Sequence, residues 1–349
     1  MSCLNPNLVH VVRNPNWFDY FVYKRKYKLA QTEDFVCKFM GKSSWFSKDY
    51  DVLCGNNDLQ SEYINVPCGN CIQCKLDYTK KWAVRCMLES TLHQQNYFIT
   101  LTYDDEHVPL NSLGNQSLVR ADLQKFLKRL RKHFKGVKIK YFGSGEYGDS
   151  SLRPHYHLIL FNLPLNDLDL FIPYDDNGIT RYIQKKSFNG DPLYYSKTIK
   201  DLWPFGNHLI GSVSFASCSY VARYCMKKLD NFDEFADMLE IEHEFVCMST
   251  KPAIGLEWFL NNYEDVYKTD AIYLLDNDEV RSCQVPRYFD QKMISIDDSI
   301  LSLVKEKRVI NSKEKTYLDH CLNFASIDEM NKRKERNFKE KLNSLKRCI

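Results

Sequence analysis

Two histidines one residue apart, His155 and His157 in "RPHYHLILF", stand at the mouth of an apolar run. On a strand, residues two apart share a face, so these imidazoles project together while Tyr156, Leu158 and Leu160 face the other way. That geometry suits two imidazoles on one cation, and equally a hydrogen-bonded pair at a strand edge. Glu146 lies nine residues earlier, at the end of the preceding strand and across a short loop. Two histidines and a carboxylate make a site for Mg²⁺ or Mn²⁺ with positions left open for phosphate oxygens. A hydrolytic zinc site of the His-x-His-x-Asp-His kind is disfavoured, because the sequence turns apolar after His157. "GSGEYG" matches G-x-G-x-x-G by spacing, but a strand follows it rather than a helix, so a dinucleotide site fails in context.

A second constellation is "SYVARYCMKK", residues 219–228. At about 100° per residue, Tyr220, Tyr224, Lys227 and Lys228 share one sector of a helix. Val221, Ala222, Cys225, Met226 and Leu229 take the opposite side. Tyrosines are commonly half-buried packing residues, yet this helix has an apolar face without them. A phenol is a poor nucleophile near neutral pH because its pKa is about 10. A metal polarising a phosphodiester and a lysine stabilising the phenolate or the leaving oxygen would activate it. The product, a phosphotyrosyl ester, conserves the bond energy for a later joining step, and two tyrosines one turn apart allow two successive transfers.

A third is "CGNCIQC", with Cys68, Cys71 and Cys74. Overlapping C-x-x-C spacings form a thiolate knuckle, although a closed zinc site needs a fourth ligand, for which Cys3, Cys37, Cys54 and Cys86 are available. Buried thiols are the alternative. A redox centre is disfavoured because no thioredoxin-like βαβ pattern surrounds the motif.

These groups need a scaffold. A chain of 349 residues with 44% hydrophobic content can bury a sizeable core. No apolar run approaches the roughly 20 residues of a membrane span, and the opening lacks a signal-peptide pattern, so action in the cytoplasm is expected. Thirteen cysteines without such a signal point to reduced thiols or metal ligands. A net charge of +3 decides nothing, but Lys125, Lys128, Arg129, Arg131, Lys132 and Lys135 cluster in one segment and 332–347 form another, both suited to phosphate.

Residues 1–66 read as an irregular region. A helical pattern runs from Asp77 to His93, then "YFITLTY" reads as a buried strand. "VRADLQKFLKRLRKHF" is an amphipathic helix with a cationic outer face, closed by Gly136. "VKIKYFG" is a second strand, "GSGEYGDSS" a glycine-rich loop and "HYHLILF" a third strand. Residues 162–210 read as an irregular, substrate-facing insertion, and a helix begins near Ser217 or Ser219. Farther on, Ser326 with Glu329 forms a capping box before a basic helix. The order strand, helix, strand, strand predicts an α+β fold with a central, mainly antiparallel sheet flanked by helices.

The blocks "MSCLNPNLVHVVRNPNW", "VPCGNCIQCKLDYTKKWAVRC", "FITLTYDDEHVP", "ADLQKFLKRLRK", "FGSGEYGDSSLRPHYHLILF", "LWPFGNHLIGSV", "SYVARYCMKK" and "STKPAIGLEWF" resemble, in order, those of the HUH endonucleases. Within that superfamily they are similar to the rolling-circle replication initiators of gokushovirus-type microviruses, over the chain to about residue 260. The resemblance implies a ferredoxin/RRM-like core, "FITLTY" as first motif, "HYH" as metal-binding second motif and "YVARY" as third. It implies Tyr220 and Tyr224 as paired nucleophiles assisted by Lys227 or Lys228, Glu146 as completing the Mg²⁺ or Mn²⁺ site, and Cys3 as fourth ligand of a structural Zn²⁺ with Cys68, Cys71 and Cys74. The expected organisation is a Cys-rich region over 1–94, an endonuclease core over 95–260 with the insertion 162–210, and a mainly helical extension over 261–349 with a basic tail.

The expected function is therefore site-specific nicking and rejoining of single-stranded DNA, initiating and terminating rolling-circle replication of a circular phage genome in the host cytoplasm. Its partners would be single-stranded and origin duplex DNA and, since no helicase P-loop is present, a host helicase and replication proteins. The alternatives are a plasmid initiator, relaxase or transposase of the same chemistry, or a non-catalytic zinc-stabilised nucleic-acid-binding protein.

Overall fold

The structure is a computed structural model that describes residues 7–13, 23–24, 28–29, 35–39, 60–69, 71–148, 151–187, 190–223, 232–276 and 279–323, with a few isolated positions beyond. The chain divides into two compact units, residues 1–74 with 325–339, and residues 75–324 with 340–349.

In the first unit, β1 (Asn7–Arg13), β2 (Phe35–Phe39) and β3 (Gln60–Val66) form an antiparallel sheet in the order β2-β1-β3. This corrects the expectation of an irregular region. The signal was local and short: valines at 9, 11 and 12 favour a pleated backbone, but the partner strands lie far off in sequence.

The second unit is built on a five-stranded antiparallel sheet. Helix α1 (Ile72–Ser90) leads into β4 (Asn96–Tyr103), and α2 (Arg120–His133) crosses to β5 (Lys140–Tyr147) and its neighbour β6 (Pro154–Phe161). A hairpin of β7 (Ile172–Asp176) and β8 (Ile179–Ile183) and the short helix α3 (Lys197–Leu202) precede β9 (Gly206–Ser212). Helix α4 (Phe215–Arg223) and β10 (Phe245–Met248) follow. The sheet order is β9-β4-β6-β5-β10. Edge strand β9 thus begins inside the segment read as insertion, so the core includes part of it.

The sheet separates two cores, and the alternation of each strand decides which residue enters which. Leu101, Tyr103, Tyr156, Leu158 and Leu160 face α2, whose Leu123, Phe126, Leu127 and Leu130 close over them. Phe142, Ile159 and Phe161 face the other way, against Ala83, Val84 and Leu88 of α1 and Cys218, Val221 and Ala222 of α4. Strand β6 is buried along its whole length, as a central strand covered on both faces must be.

The glycine-rich "GSGEY" belongs to β5 and is not a loop. A Cβ on Gly143 would come within 2.9 Å of the His157 carbonyl oxygen, and one on Gly145 within 2.6 Å of the Phe245 ring. Glycine is there to let neighbouring strands approach. Gly136, at φ +84°, turns the chain after α2, as its position in the sequence predicts.

After β10 come helices over Leu256–Thr269, Arg287–Met293 and Asp298–Asn323, with an antiparallel hairpin of Ile272–Asp276 and Glu279–Cys283 between the first two. Arg308 fastens the three helices by donating to Asp270 at 2.8 Å and Asp290 at 2.8 Å. Ser326 and most of the basic stretch 332–347 lie outside the described residues. No helix among the described residues is long and apolar enough to cross a membrane.

Candidate active site

On β6 the side chains of His155 and His157 emerge on the α1/α4 side of the sheet. In the register of the sheet, His155 stands between Glu146 of β5 and Thr102 of β4, and His157 between Ser144 and Thr100. Glu146 therefore reaches His155 directly across and His157 on the diagonal. Its Oε1 lies 2.9 Å from His155 Nε2 and also contacts His157 Nε2. One ligand atom from each of the three falls within 4.8 Å of the others, and all three side chains are buried. Burial alone would push the Glu146 carboxyl up, but the charge of His157 and hydrogen bonds from both imidazoles hold it at about 2.

Neighbouring groups fix the ring orientations. His155 Nδ1 lies 3.0 Å from the Arg153 carbonyl oxygen, which only accepts, so the proton is on Nδ1. Its Nε2 is thereby turned to the Glu146 carboxylate, where ring nitrogen and oxygen can share one cation. His157 Nδ1 is 3.0 Å from Thr100 Oγ1, which leaves its Nε2 turned to the same point. Two imidazoles, each oriented by an outer partner, and a carboxylate fit a divalent cation by their chemistry.

Tyr220 comes to this site from α4. Reciprocal bonds start the helix: Ser217 Oγ accepts from the Ser214 amide at 2.8 Å and Ser214 Oγ from the Ser217 amide at 3.2 Å. It therefore begins at Phe215, ahead of both serines proposed from the sequence. Cys218, Val221 and Ala222 are buried and set its rotation. The Tyr220 ring stands edge-on to His157, with centroids 5.0 Å apart, and 6.1 Å from Phe98. Phe98 in turn stacks on His157 at 5.5 Å. Tyr224, Lys227 and Lys228 lie outside the described residues.

Thr100 and Phe98 were not singled out from the sequence. A signal existed, since Phe98, Thr100 and Thr102 alternate along one face of β4, and two hydroxyls recur there in an otherwise apolar strand.

The basic helix α2 does not share the triad's face. Lys125, Lys128, Arg131 and Lys132 are exposed, but the helix packs on the opposite side of the sheet. Arg129 is tied to the Leu202 carbonyl at 2.8 Å. Any phosphate contact made there is remote from the two histidines.

In the first unit, Cys68, Cys71 and Cys74 bring their sulfurs within 4.8 Å of one another, and the Cys71 amide donates to Cys68 Sγ at 3.2 Å. Three converging thiols are compatible with metal binding. Cys3 and Cys54 lie outside the described residues, and only the backbone of Cys37 is described, on β2. Cys86 is buried in the core against Cys218, where burial and that neighbour push its thiol well up, so it is removed from the ligand candidates.

The family model of the replication-associated protein ORF2 matches residues 96–229, the segment that runs from β4 past α4. The chain is similar to the replication-associated protein ORF2 of Spiroplasma virus 4, with 39% identity over 260 residues, 72% of this chain and 76% of that protein. It is 31% identical to the replication-associated protein VP4 of Bdellovibrio phage phiMH2K over 298 residues, 80% of this chain and 87% of that protein. With the replication-associated protein ORF4 of Chlamydia phage 1 it shares 28% over 278 residues, 77% of this chain and 63% of that protein. No solved structure matches the chain.

Proposed function

The chain belongs to the family of phage replication-associated proteins typified by ORF2, and from that premise we propose that it is an HUH-type nickase and strand transferase. It starts and ends rolling-circle replication of a circular single-stranded DNA genome in the cytoplasm of a bacterial host. The observation that carries this reading is the placement of Tyr220 edge-on to His157, beside the Glu146, His155 and His157 triad. A phenol next to a converged set of cation ligands is what phosphotyrosyl transfer requires.

A Mg²⁺ or Mn²⁺ ion held by the triad would polarise the scissile phosphodiester and offset the charge that builds on its oxygens. Tyr220 Oη, once deprotonated, attacks phosphorus; the bond to the 3′ oxygen breaks, the 5′ phosphate becomes a tyrosyl ester, and the 3′ oxygen takes up a proton and serves as primer end. Lys227 or Lys228 would stabilise the phenolate or the leaving oxygen. After one round of synthesis Tyr224 would cut the regenerated origin, and the released 3′ hydroxyl would attack the first ester to close the circle. In this reading 95–260 is the catalytic core, 1–94 carries a zinc knuckle of Cys68, Cys71, Cys74 and Cys3, and 261–349 is an extension with a basic tail. Unwinding would come from a host helicase.

The test incubates the full chain with single-stranded oligonucleotides spanning the phage origin and Mn²⁺, then looks for a DNA-shifted protein band under denaturing conditions. A band that disappears in the Tyr220→Phe, Tyr224→Phe double variant is expected. DNA binding without any adduct in the native protein would instead mark a non-catalytic binding protein.

A further inference from the structure

At the edge of the sheet, the β7–β8 hairpin and β9 bound a cleft of about 680 Å³ that is lined from both faces, by Thr102 and Asn207 on the triad's side and by Tyr103 and His208 on the α2 side. That volume falls in the range of roughly 300–1,000 Å³ typical of ligand sites. Thr102, the residue of β4 that pairs with His155, lines it, so the cleft reaches the row of the sheet in which His155 stands. Arg153, Lys185 and Lys200 line it with one acid, Asp175, and Arg153 is ion-paired with Asp105, so the two lysines carry the cleft's excess charge. Two of these cations are held in place: Arg153 donates to the Tyr103 carbonyl at 2.9 Å and Lys200 to the Gly206 carbonyl at 2.6 Å. The lining tyrosines are the buried Tyr103, Tyr174 on the hairpin and Tyr195, whose ring stacks on His208 with centroids 4.8 Å apart. Tyr174 is 45% exposed, so a face of its ring is open to a ligand.

Positive charge interleaved with accessible tyrosine rings is the pattern that holds unpaired nucleotides, because phosphates meet the cations and every base offers a face for stacking. A duplex is too wide for a cleft of this volume, and a protein partner would leave the excess of cations unmatched. We infer, on the footing of the strand-transfer function above, that the hairpin cleft seats unpaired nucleotides of the single strand flanking the scissile phosphate. The strand leaves the triad past Thr102 and runs between the hairpin and β9, and the hairpin is where the bases beside the nick are read.

The test measures anisotropy of a short fluorescein-labelled single-stranded oligonucleotide of mixed sequence with the full chain, in EDTA so that nothing is cut. Tyr174→Ala is expected to weaken binding about fivefold or more, the loss of one stacked base. Lys185→Ala should weaken it comparably and lower the slope of log affinity against log salt by about one. Both side chains are exposed, so unchanged melting curves verify that the variants fold. With 5-iododeoxyuridine in the oligonucleotide, photo-crosslinks are expected in residues 172–195. Native affinity and salt slope in both variants, crosslinks that map elsewhere, or equal competition by duplex of the same sequence would each overturn the assignment. Adduct formation with Mn²⁺ is scored separately and reports on the transferase function alone: a chain that makes adducts while both variants bind normally refutes the cleft and leaves the chemistry standing.

Discussion

The Tyr220 ring meets the His157 ring edge-on, at 88° and 5.0 Å between centroids, and Phe98 stacks on His157 beside it. The nucleophile candidate and a metal-ligand candidate are thus packed against each other, and the position of one fixes that of the other.

Replacing Tyr220 by Phe keeps that packing and removes only the hydroxyl. Melting should shift little, while adduct yield in the first cleavage falls by at least about 10²-fold, as expected for loss of a nucleophile. Yield close to native would take Tyr220 out of the first transfer.

Mn²⁺ should raise the melting temperature of the native chain, since an ion that binds only the folded state stabilises it by about 2.7 kcal/mol at a hundred times its dissociation constant. Glu146→Gln or His157→Ala should abolish the shift. Thr100→Val, which removes the partner of His157 Nδ1, should weaken Mn²⁺ binding about 10- to 100-fold. A shift that survives in Glu146→Gln places the ion elsewhere.

The middle residue of "HYH" serves the opposite face. Tyr156 Oη donates to the Val119 carbonyl at 2.9 Å, accepts from the Val119 amide at 3.0 Å and pairs with Tyr103 Oη at 2.8 Å, fastening the start of α2. Tyr156→Phe strands these groups and should cost about 1–3 kcal/mol in urea unfolding, with Mn²⁺ affinity unchanged. Equal loss of both would mean the two faces are coupled.

His208 Nε2 accepts from the Ser196 amide at 3.0 Å, and burial, with Lys200 nearby, lowers its pKa to about 4. Below pH 6.5 the unfolded chain binds a proton that the folded one refuses, so this stability is complete above about 6.5 and lost as pH falls to about 4, by as much as about 3 kcal/mol. His208→Gln keeps an acceptor for Ser196 and should flatten unfolding free energy over that interval. An unaltered pH profile would show that His208 does not govern it.

Protein purified under reducing conditions should contain about one zinc per chain, as a closed thiolate site holds one ion. Cys71→Ser should lose it by elemental analysis. Zinc-free native protein would leave the three sulfurs as thiols.

The triad was legible because all it needs is a period of two and a carboxylate on the next strand: His155, His157 and Glu146 announce themselves locally. Other features depended on contacts distant in sequence. Gly143 and Gly145 read as a loop, since only the approach of His157 and Phe245 explains them. The strands over 7–13, 35–39 and 60–66 pair across long separations that no periodicity records. Which face α2 covers follows from how its crossover connection winds, and the cationic stripe on its surface is silent about that.

Strand β6 is read from both sides, His155 and His157 toward the acid site and Tyr156 toward the start of α2. Substitutions on one side can drift without the other noticing, but a length change cannot. Deleting Tyr156 alone would send every downstream side chain to the opposite face, delivering His157 into the α2 core and Leu158 to the side of Glu146. This segment can vary in spelling over generations of phage, but its reading frame of faces is fixed.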